Sequence, residues 1–491
     1  MMYIKQNKLN IIAAIVMFIA LFAFFAYAHP LIIFDTDDWY HFTRGRYPWP
    51  EWKYWNPIRV LPGTIMPLAG YVAAYFVNPF TGDYINSVTY VSAFLTSISI
   101  TITVFLLGVC TVKTLDMPAE KAYIFAIISC LWGFCMFRSD TNSSEYLFRA
   151  PNLTCYYYYM LPALLNLSLV FYMMTKEDFP NSYKEMSGGG KGIFILICYL
   201  AICSNLFHNV ILATYSGIQI LYEFFRCKGA GFRKRIVENV KRCYVYYVIV
   251  VFWLALLPFE AFGGRANSIK ISANIWKLLF SSFKNLQNID LNILFLVYVG
   301  LLIIGIGIIG CKNRSICFLK SPVAKKVFTD SLLCVVLIVI YFIILGARLN
   351  GGYINWPSVQ ISFWMFVLAI LSLVLGWIIK ELKSVQILLP LFIFFLLMNA
   401  LDGRYHFKEA TTKNVNPITC KSLDYYIIEQ FQVADKSGQK EMVLRVPKYK
   451  TKNNWPLAVS HGYAIRDTLY LHGLISRNDI KVKVQPASNK Q

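Results

Sequence analysis

The chain has 491 residues, of which 57% are hydrophobic and 15% are charged, and its mean hydropathy is +0.51. Several apolar runs reach the roughly 20 residues that cross a hydrocarbon core, so the sequence predicts a polytopic membrane protein. Its net charge of +21 does not indicate a nucleic-acid partner, because the basic residues cluster between apolar runs, where they set orientation and meet anionic lipid.

In chain order, the apolar runs predict an all-α membrane protein with about 11 transmembrane helices. These runs lie near 11–29, 87–112, 122–137, 157–174, 192–206, 208–225, 243–260, 291–310, 330–346, 359–379 and 385–400. With a cytoplasmic N-terminus, the inward segments hold 21 Lys and Arg residues and the short outward segments hold 11. The positive-inside rule favours this orientation, which places the C-terminus outside.

The two predicted domains are a transmembrane module over 1–400, with its first outward loop at 30–86, and a polar C-terminal domain over 401–491. In this tail, "EMVLRVP" and "DIKVKVQP" alternate like strands, while "SLDYYIIEQFQVA" has helical spacing. A small extracytoplasmic α/β domain fits that pattern.

An acidic stretch, "FDTDDWYHF", follows the first apolar run and places Asp35, Asp37 and Asp38 at the predicted outer membrane surface. Ionised carboxylates there are costly unless they are solvated, paired or functional. A positioned Asp can remove the proton of an attacking acceptor hydroxyl, so these three are the candidate catalytic residues, with Asp37 or Asp38 favoured as general base. The alternative is a water-facing loop whose Trp and Tyr residues belong to an interfacial belt.

Arginines on the outward segments are the candidate ligands of a donor phosphate, because a guanidinium offers a planar fork to phosphate oxygens. They are Arg44, Arg46, Arg59, Arg149 and Arg348. Each could instead extend to a lipid headgroup.

Aromatic and polar side chains on the same segments are the candidate acceptor-binding residues, because aromatic planes stack on the C–H faces of sugars. They are Trp39, Tyr40, His41, Tyr353, Asn355 and Trp356. His208 and Asn209 lie at a predicted tight outward turn, where they either contact substrate or cap the next helix.

The motif "DTDD" after a first span resembles the acidic motif of the GT-C class of membrane glycosyltransferases, which use polyprenyl-phosphate sugars. The outline is most similar to the phage-encoded, serotype-converting O-antigen glucosyltransferases of Gram-negative bacteria. This resemblance implies a multi-pass inner-membrane hexosyltransferase with a periplasmic C-terminal domain. It would move a sugar, commonly glucose, from undecaprenyl phosphate to a lipid-linked O-antigen unit, with membrane lipids, a flippase and a donor synthase as partners.

The resemblance leaves a divalent metal at the acidic motif open, because some members of the class use one and others do not; no other cofactor is expected. An O-antigen polymerase or ligase, or another polyprenyl-linked sugar transferase, is the alternative within enzymes. A lipid-linked sugar flippase or transporter is the alternative of another class. The spans are nearly free of Asp and Glu and show no repeat between the halves, which argues against transport.

Overall fold

The computed structural model describes residues 2–43, 57–138, 143–144, 146–150, 152–226, 231–261, 275–286, 290–313, 321–348, 354–382, 384–401, 406–407 and 417–487. Helices dominate these ranges. They are α1 (Met2–Ala23), α2 (Thr36–Thr43), α3 (Val60–Val72), α4 (Asn78–Thr81), α5 (Tyr84–Thr114), α6 (Ala122–Cys135), α7 (Leu153–Cys155), α8 (Leu161–Met174), α9 (Phe179–Glu185), α10 (Gly188–Ile202), α11 (Leu206–Arg226), α12 (Phe232–Ala261), α13 (Ile275–Leu286), α14 (Ile293–Asn313), α15 (Pro322–Arg348), α16 (Pro357–Glu381), α17 (Val385–Leu401), α18 (Pro417–Lys436) and α19 (Gly462–Leu471).

The strands are short and pair in twos. Their bounds are β1 (Phe137–Arg138), β2 (Ser143–Ser144), β3 (Asp290–Leu291), β4 (His406–Phe407), β5 (Glu441–Pro447) and β6 (Lys481–Ala487). The β1–β3 pair is antiparallel, whereas β2–β4 and β5–β6 are parallel.

Eight helical segments within the described ranges are long and apolar enough to cross a membrane. They are Lys8–Ala28, Pro57–Thr81, Tyr84–Thr114, Leu153–Met174, Phe232–Phe259, Ile293–Cys311, Pro322–Ala347 and Pro357–Glu381. Large apolar side chains such as Ile15, Ile303 and Phe394 are exposed on the helices. An exposed apolar helix face is satisfied by lipid, so the chain is a helical multi-pass membrane protein.

Each of the predicted apolar runs falls on a helix, which confirms the helical character of the chain. The structure differs from the prediction at 57–81, which was assigned to the first outward loop but forms an apolar helical segment. Pro62, Pro67 and Gly70 break the apolar pattern there, yet such residues are tolerated in membrane helices whose neighbours satisfy the freed backbone groups. The predicted number of crossings stays a prediction.

The chain divides into two compact units, of which unit 1 comprises Met1–Met17, Ser99–Arg149 and Tyr159–Lys408. Its core helix is α16, which packs against α6, α8, α11, α14, α15 and α17. Of the residues in its membrane-spanning stretch, 78% are buried inside the protein. Burial on all sides explains why α16 is apolar around its whole circumference.

Unit 2 comprises Phe18–Ile98, Ala150–Tyr158 and Glu409–Gln491. Helix α2 packs against α3, α7 and α19, while α18 packs on β5 and α19 packs on β6. The predicted strands and helix of the C-terminal region are therefore present as β5, β6 and α18. This division differs from the predicted boundary at 400, which separates an apolar module from a polar tail and stays a prediction.

Candidate functional site

The acidic stretch begins helix α2 and forms a capping box there. Asp35 is the N-cap residue, and its Oδ1 accepts hydrogen bonds from the backbone N–H of Asp37 at 2.8 Å and of Asp38 at 3.1 Å. In return, Asp38 Oδ2 accepts a hydrogen bond from the Asp35 N–H at 3.3 Å. Two carboxylates thus satisfy N–H groups that the first turn of a helix leaves without partners.

Asp38 is completely buried and its carboxylate is fully used by protein donors. Its Oδ2 also accepts from the Phe34 N–H at 2.8 Å, and its Oδ1 accepts from both the N–H and the hydroxyl of Thr154 at 2.7 Å. The second oxygen of Asp35 accepts from Asn152 Nδ2 at 2.6 Å. Asn152 and Thr154 begin α7, so this short helix fixes residues 35–38 in place. We call residues 35–38 the acidic turn.

Asp37 is the exception among the three carboxylates. It is half-buried, and in the part of the chain that the structure describes its side chain accepts no hydrogen bond. It follows Asp35 and Thr36 on the first turn of α2, whose remaining N–H groups favour negative charge. Among the described residues, Asp37 is therefore the carboxylate of this stretch that the fold does not use.

Burial changes the protonation of the two inner carboxyls. Burial, followed by the neighbouring charges of Asp38 and Asp37, raises the pKa of Asp35 well above its ordinary value. Burial also raises the pKa of Asp38 to about 6, against the opposing effect of its four hydrogen bonds. Both groups therefore carry less negative charge near neutral pH than exposed carboxylates would.

The C-terminal segment holds helix α2 from the other side. The carbonyl of Pro456 accepts from the Thr36 hydroxyl at 3.0 Å and the Thr36 N–H at 3.3 Å. The Thr468 hydroxyl on α19 donates to the Trp39 carbonyl at 2.6 Å. The acidic turn is thus built from three stretches of unit 2 that are distant in sequence.

Two further buried ionisable groups, Asp424 and His472, lie in the C-terminal part of unit 2. Asp424 is 3% exposed, and burial followed by the charge of Asp38 raises its pKa well above the usual range. The imidazole of His472 is equally buried, shares a 2.6 Å hydrogen bond with the Tyr84 hydroxyl, and has a pKa lowered by burial to about 4. Helix α18 is also bound to α5 by the hydrogen bond of Lys421 Nζ to Asn86 Oδ1 at 2.7 Å.

The predicted acceptor-binding residues of α2 take different positions. Trp39 is 0% exposed, so its ring belongs to the core of unit 2. Tyr40 is half-buried, with its ring against those of His41 and His461. His41 Nδ1 lies 3.0 Å from the Tyr158 hydroxyl. Binding of an acceptor by these three residues stays a prediction.

The remaining predicted residues are spread over the chain. Arg44, Arg46 and Tyr353 lie outside the described residues. Arg59 is half-buried at the start of α3 in unit 2; Arg149, Asn355 and Trp356 are half-buried in unit 1, and Arg348 ends α15. Among the predicted residues that the structure describes, Asp35, Asp37 and Asp38 share the hydrogen bonds of one helix start.

Asn209 does not cap α11, contrary to one sequence interpretation. The cap is Asn205, whose Oδ1 accepts from the Phe207 N–H at 2.8 Å. Asn209 is instead buried within the helix, where its Nδ2 donates to the Ile202 carbonyl at 3.1 Å and its Oδ1 accepts from Trp253 Nε1 at 2.9 Å. Helix α11 begins at Leu206, earlier than the start at 208 that the apolar pattern predicts.

The partners of the acidic turn were not predicted from the sequence; they are Asn152, Thr154, Pro456 and Thr468. The spacing of "DTDD" matches a capping box, an acceptor residue followed three positions later by an acid, so the helix start was visible in the sequence. The "NLT" stretch has an N-cap signature as well. Nothing local indicated that Pro456 or Thr468 meets α2, because these contacts span more than 400 residues.

Comparison with protein-family models and with curated proteins finds no match to this chain.

Proposed function

We propose that the chain is an integral membrane glycosyltransferase in which Asp37 is the general base. The observation that carries this proposal is the difference in hydrogen bonding among the three carboxylates. Those of Asp35 and Asp38 accept hydrogen bonds within the capping box and from α7, while that of Asp37 accepts none from the described residues. A base must have a free lone pair within reach of the proton it removes.

The proposed reaction is a single displacement that inverts the anomeric carbon. Asp37 takes the proton of an acceptor hydroxyl as its oxygen forms a bond to the anomeric carbon. The bond from that carbon to the phosphate oxygen breaks, and the electron pair leaves with the lipid phosphate. Cationic side chains stabilise the growing phosphate charge, a role proposed for Arg44, Arg46 and Arg59.

The substrates and location follow from the GT-C resemblance and are part of the proposal. The donor is a polyprenyl-phosphate sugar, with undecaprenyl-phosphate glucose the first candidate. The acceptor is a lipid-linked O-antigen or similar glycan on the periplasmic face of a bacterial inner membrane. Several apolar helices in the chain support a lipid-soluble donor.

The acidic turn does not fit a protein-bound divalent cation. Such an ion needs several free oxygen ligands, whereas every oxygen of Asp35 and Asp38 already accepts a hydrogen bond from a protein donor. Asp37 alone would supply one open carboxylate. The proposed mechanism therefore routes no step through a metal.

The test is to replace Asp37 by Asn and measure sugar transfer from undecaprenyl-phosphate glucose to lipid-linked glycan in membranes that contain the full chain. Loss of a general base lowers the rate by about 100-fold or more. Because the Asp37 side chain accepts no hydrogen bond from a described residue, the thermal midpoint should stay within about 2 °C. Asp37→Glu, which keeps a carboxylate, should retain more activity than Asp37→Asn. Full activity in Asp37→Asn would remove the base from the proposal.

One observation favours transport as a second candidate. In unit 1, Asp330 on α15 is 3% exposed, accepts from Gln219 Nε2 at 2.8 Å and pairs with Lys326 at 3.4 Å. Ionisable residues inside membrane helices often mark a transport path. Here the charges of Asp330 and Lys326 compensate each other, which favours a structural role. The experiment that distinguishes the two functions measures movement of a sugar-lipid between leaflets. Loss of this movement in Asp330→Asn together with its retention in Asp37→Asn would favour the transporter.

A further inference from the structure

Helix α13, which spans Ile275–Leu286 in unit 1, exposes three large aromatic side chains. Trp276 is 75% exposed, Phe280 is 70% exposed and Phe283 is 44% exposed. With about 100° between successive residues of an α-helix, these three side chains fall within about 60° of one another. We call them the aromatic face of α13. A contiguous exposed apolar surface marks a site of contact with a membrane or with another protein.

Another side of α13 packs on α15 near the end of its apolar stretch. Ser282 is 1% exposed, and a methyl group added at Gly346 would meet the Ser282 Oγ at 3.1 Å and its Cβ at 3.3 Å. Gly346 is the last residue but one of the apolar stretch Pro322–Ala347. The contact therefore places α13 at the level where α15 leaves the hydrocarbon core.

The neighbouring helices along the chain indicate the same depth. The apolar stretch of α12 ends at Phe259 and that of α14 begins at Ile293, so α13 belongs to the connection between two helices of membrane-spanning length. Its 12 residues are about 18 Å long, too short to cross a hydrocarbon core of about 30 Å. These positions favour a helix that lies along the membrane surface.

Basic side chains flank the aromatic face. Lys277 and Lys284 are both exposed and lie within about 20° of each other around the helix, on the side away from Ser282. From position 261 to position 289 the sequence holds four Lys and Arg residues and no Asp or Glu. A second copy of this surface would bring like charges together, whereas an anionic lipid headgroup complements them.

We propose that α13 is an interfacial helix that binds anionic phospholipid. Its aromatic face inserts among the acyl chains just below the headgroups, at the depth where tryptophan is enriched in membrane proteins. The ammonium groups of Lys277 and Lys284 lie at the headgroups and donate hydrogen bonds to lipid phosphate oxygens. This lipid site goes beyond the proposed transferase function and does not depend on Asp37, so loss of sugar transfer in Asp37→Asn leaves it unaffected.

Photocrosslinking of the full chain in vesicles tests the proposal. The photoreactive residue benzoylphenylalanine replaces Phe280, and the vesicles contain equal parts of phosphatidylglycerol and phosphatidylethanolamine with the same acyl chains. Mass spectrometry identifies the lipid that is attached on illumination. We expect about fivefold more attached phosphatidylglycerol than phosphatidylethanolamine. The same label in place of Ile303, an exposed residue in the middle of α14, should attach the two lipids in nearly equal amounts.

Charge variants identify the source of this selectivity. Lys277→Gln combined with Lys284→Gln should lower the enrichment below about twofold. Lys448→Gln combined with Lys452→Gln removes the same charge from exposed residues of unit 2 and should leave the enrichment unchanged. Because all four lysines are exposed, the thermal midpoints of both double variants should stay within about 2 °C of the parent value.

A label in place of Trp276 provides a second position on the aromatic face in case the chain labelled at 280 does not fold. The proposal is overturned if no lipid is attached at either position, or if the two lipids are attached equally there. It is also overturned if the enrichment survives the loss of Lys277 and Lys284, or if the label attaches to a second copy of the chain in place of lipid.

Discussion

The acidic turn of unit 2 and His208 of unit 1 both bury polar side chains, but these side chains differ in their hydrogen bonding. In the acidic turn, Asp38 accepts four hydrogen bonds and Asp35 accepts three. His208 has none from its ring to any described residue. The paired carboxylates fix the first turn of α2, whereas the His208 ring adds no described hydrogen bond to its surroundings. Asp37 combines both conditions, since its turn is fixed and its carboxylate is open.

Removing a fully paired carboxylate should produce the largest stability change. Asp38→Ala leaves four buried donors, from Phe34, Asp35 and Thr154, without their acceptor. Relief of the buried charge offsets part of this loss, and we expect a decrease in the free energy of unfolding on the order of 3 kcal/mol. Thermal unfolding of the purified chain in detergent measures it, with Thr154→Val as a milder variant that removes one donor. A change below about 0.5 kcal/mol for Asp38→Ala would contradict the assigned role.

His472 is half paired: its Nδ1 shares a hydrogen bond with Tyr84, and its Nε2 is buried without a described partner. Its pKa is lowered in the folded protein to about 4 from 6.5, so the unfolded chain binds the proton more tightly between those values. Stability from this group is present above pH 6.5 and is lost as the pH falls toward 4. From pH 7 to pH 5 the loss is about 2 kcal/mol.

The raised pKa values of Asp35, Asp38 and Asp424 act in the opposite direction over part of this range. The measurement is therefore the difference between the parent chain and His472→Gln in thermal scans from pH 7 to pH 5. The parent should lose more stability on acidification than the variant. Parallel pH profiles of the parent and His472→Gln chains would contradict this prediction, because they would show that the pKa of His472 does not differ between the folded and unfolded states.

An added methyl group should be tolerated less well next to α2 than along α11. A methyl group added at Gly70 would meet both the His472 ring and the Phe42 ring at 2.7 Å, whereas one added at Gly217 would meet nothing within 4 Å. We expect Gly70→Ala to destabilise the chain by about 1 to 2 kcal/mol. The matched Gly217→Ala should be neutral or stabilise by up to about 1 kcal/mol, because alanine favours the helix. Equal midpoints for the two variants would contradict close packing around His472.

The smallest effect is expected at His208. His208→Leu replaces a buried imidazole that has no described hydrogen bond with an apolar side chain, so it should leave the free energy of unfolding unchanged or raise it by about 1 kcal/mol. Thermal unfolding measures this change, alongside the loss expected for Asp38→Ala. A decrease of more than 1 kcal/mol in His208→Leu would show that the imidazole has a stabilising partner after all.

The sequence predicted what depends on local pattern. Apolar runs predicted the helices, and the alternation in "EMVLRVP" and "DIKVKVQP" predicted β5 and most of β6, because a two-residue period survives in a sheet with one buried face. The segment 57–81 was missed because Pro67 and the glycines resemble loop residues, although its composition remains apolar. Proline is a strong helix breaker in water and a weaker signal in lipid.

The sequence located the acidic stretch but did not predict its hydrogen bonds. The acidic stretch was identified by its charge, yet charge alone does not distinguish a carboxylate that caps a helix from one that is free. That distinction depends on Asn152 and Thr154, which are more than 100 residues away and reach α2 through tertiary structure. The unpaired state of His208 could not be inferred from pattern, because a buried imidazole in an apolar helix has the same sequence signature whether it is paired or not.

The hydrogen bond from Thr36 to the Pro456 carbonyl joins residues separated by 420 positions, which has a consequence for biosynthesis. A ribosome that adds about 5 to 20 residues per second needs roughly 20 to 80 s to pass from one partner to the other. During that interval the first helices are already made while the acidic turn lacks the segment that holds it. The nascent protein therefore acquires its complete acidic turn only after residue 456 has been synthesised, so a product truncated before that residue would reach the membrane without it.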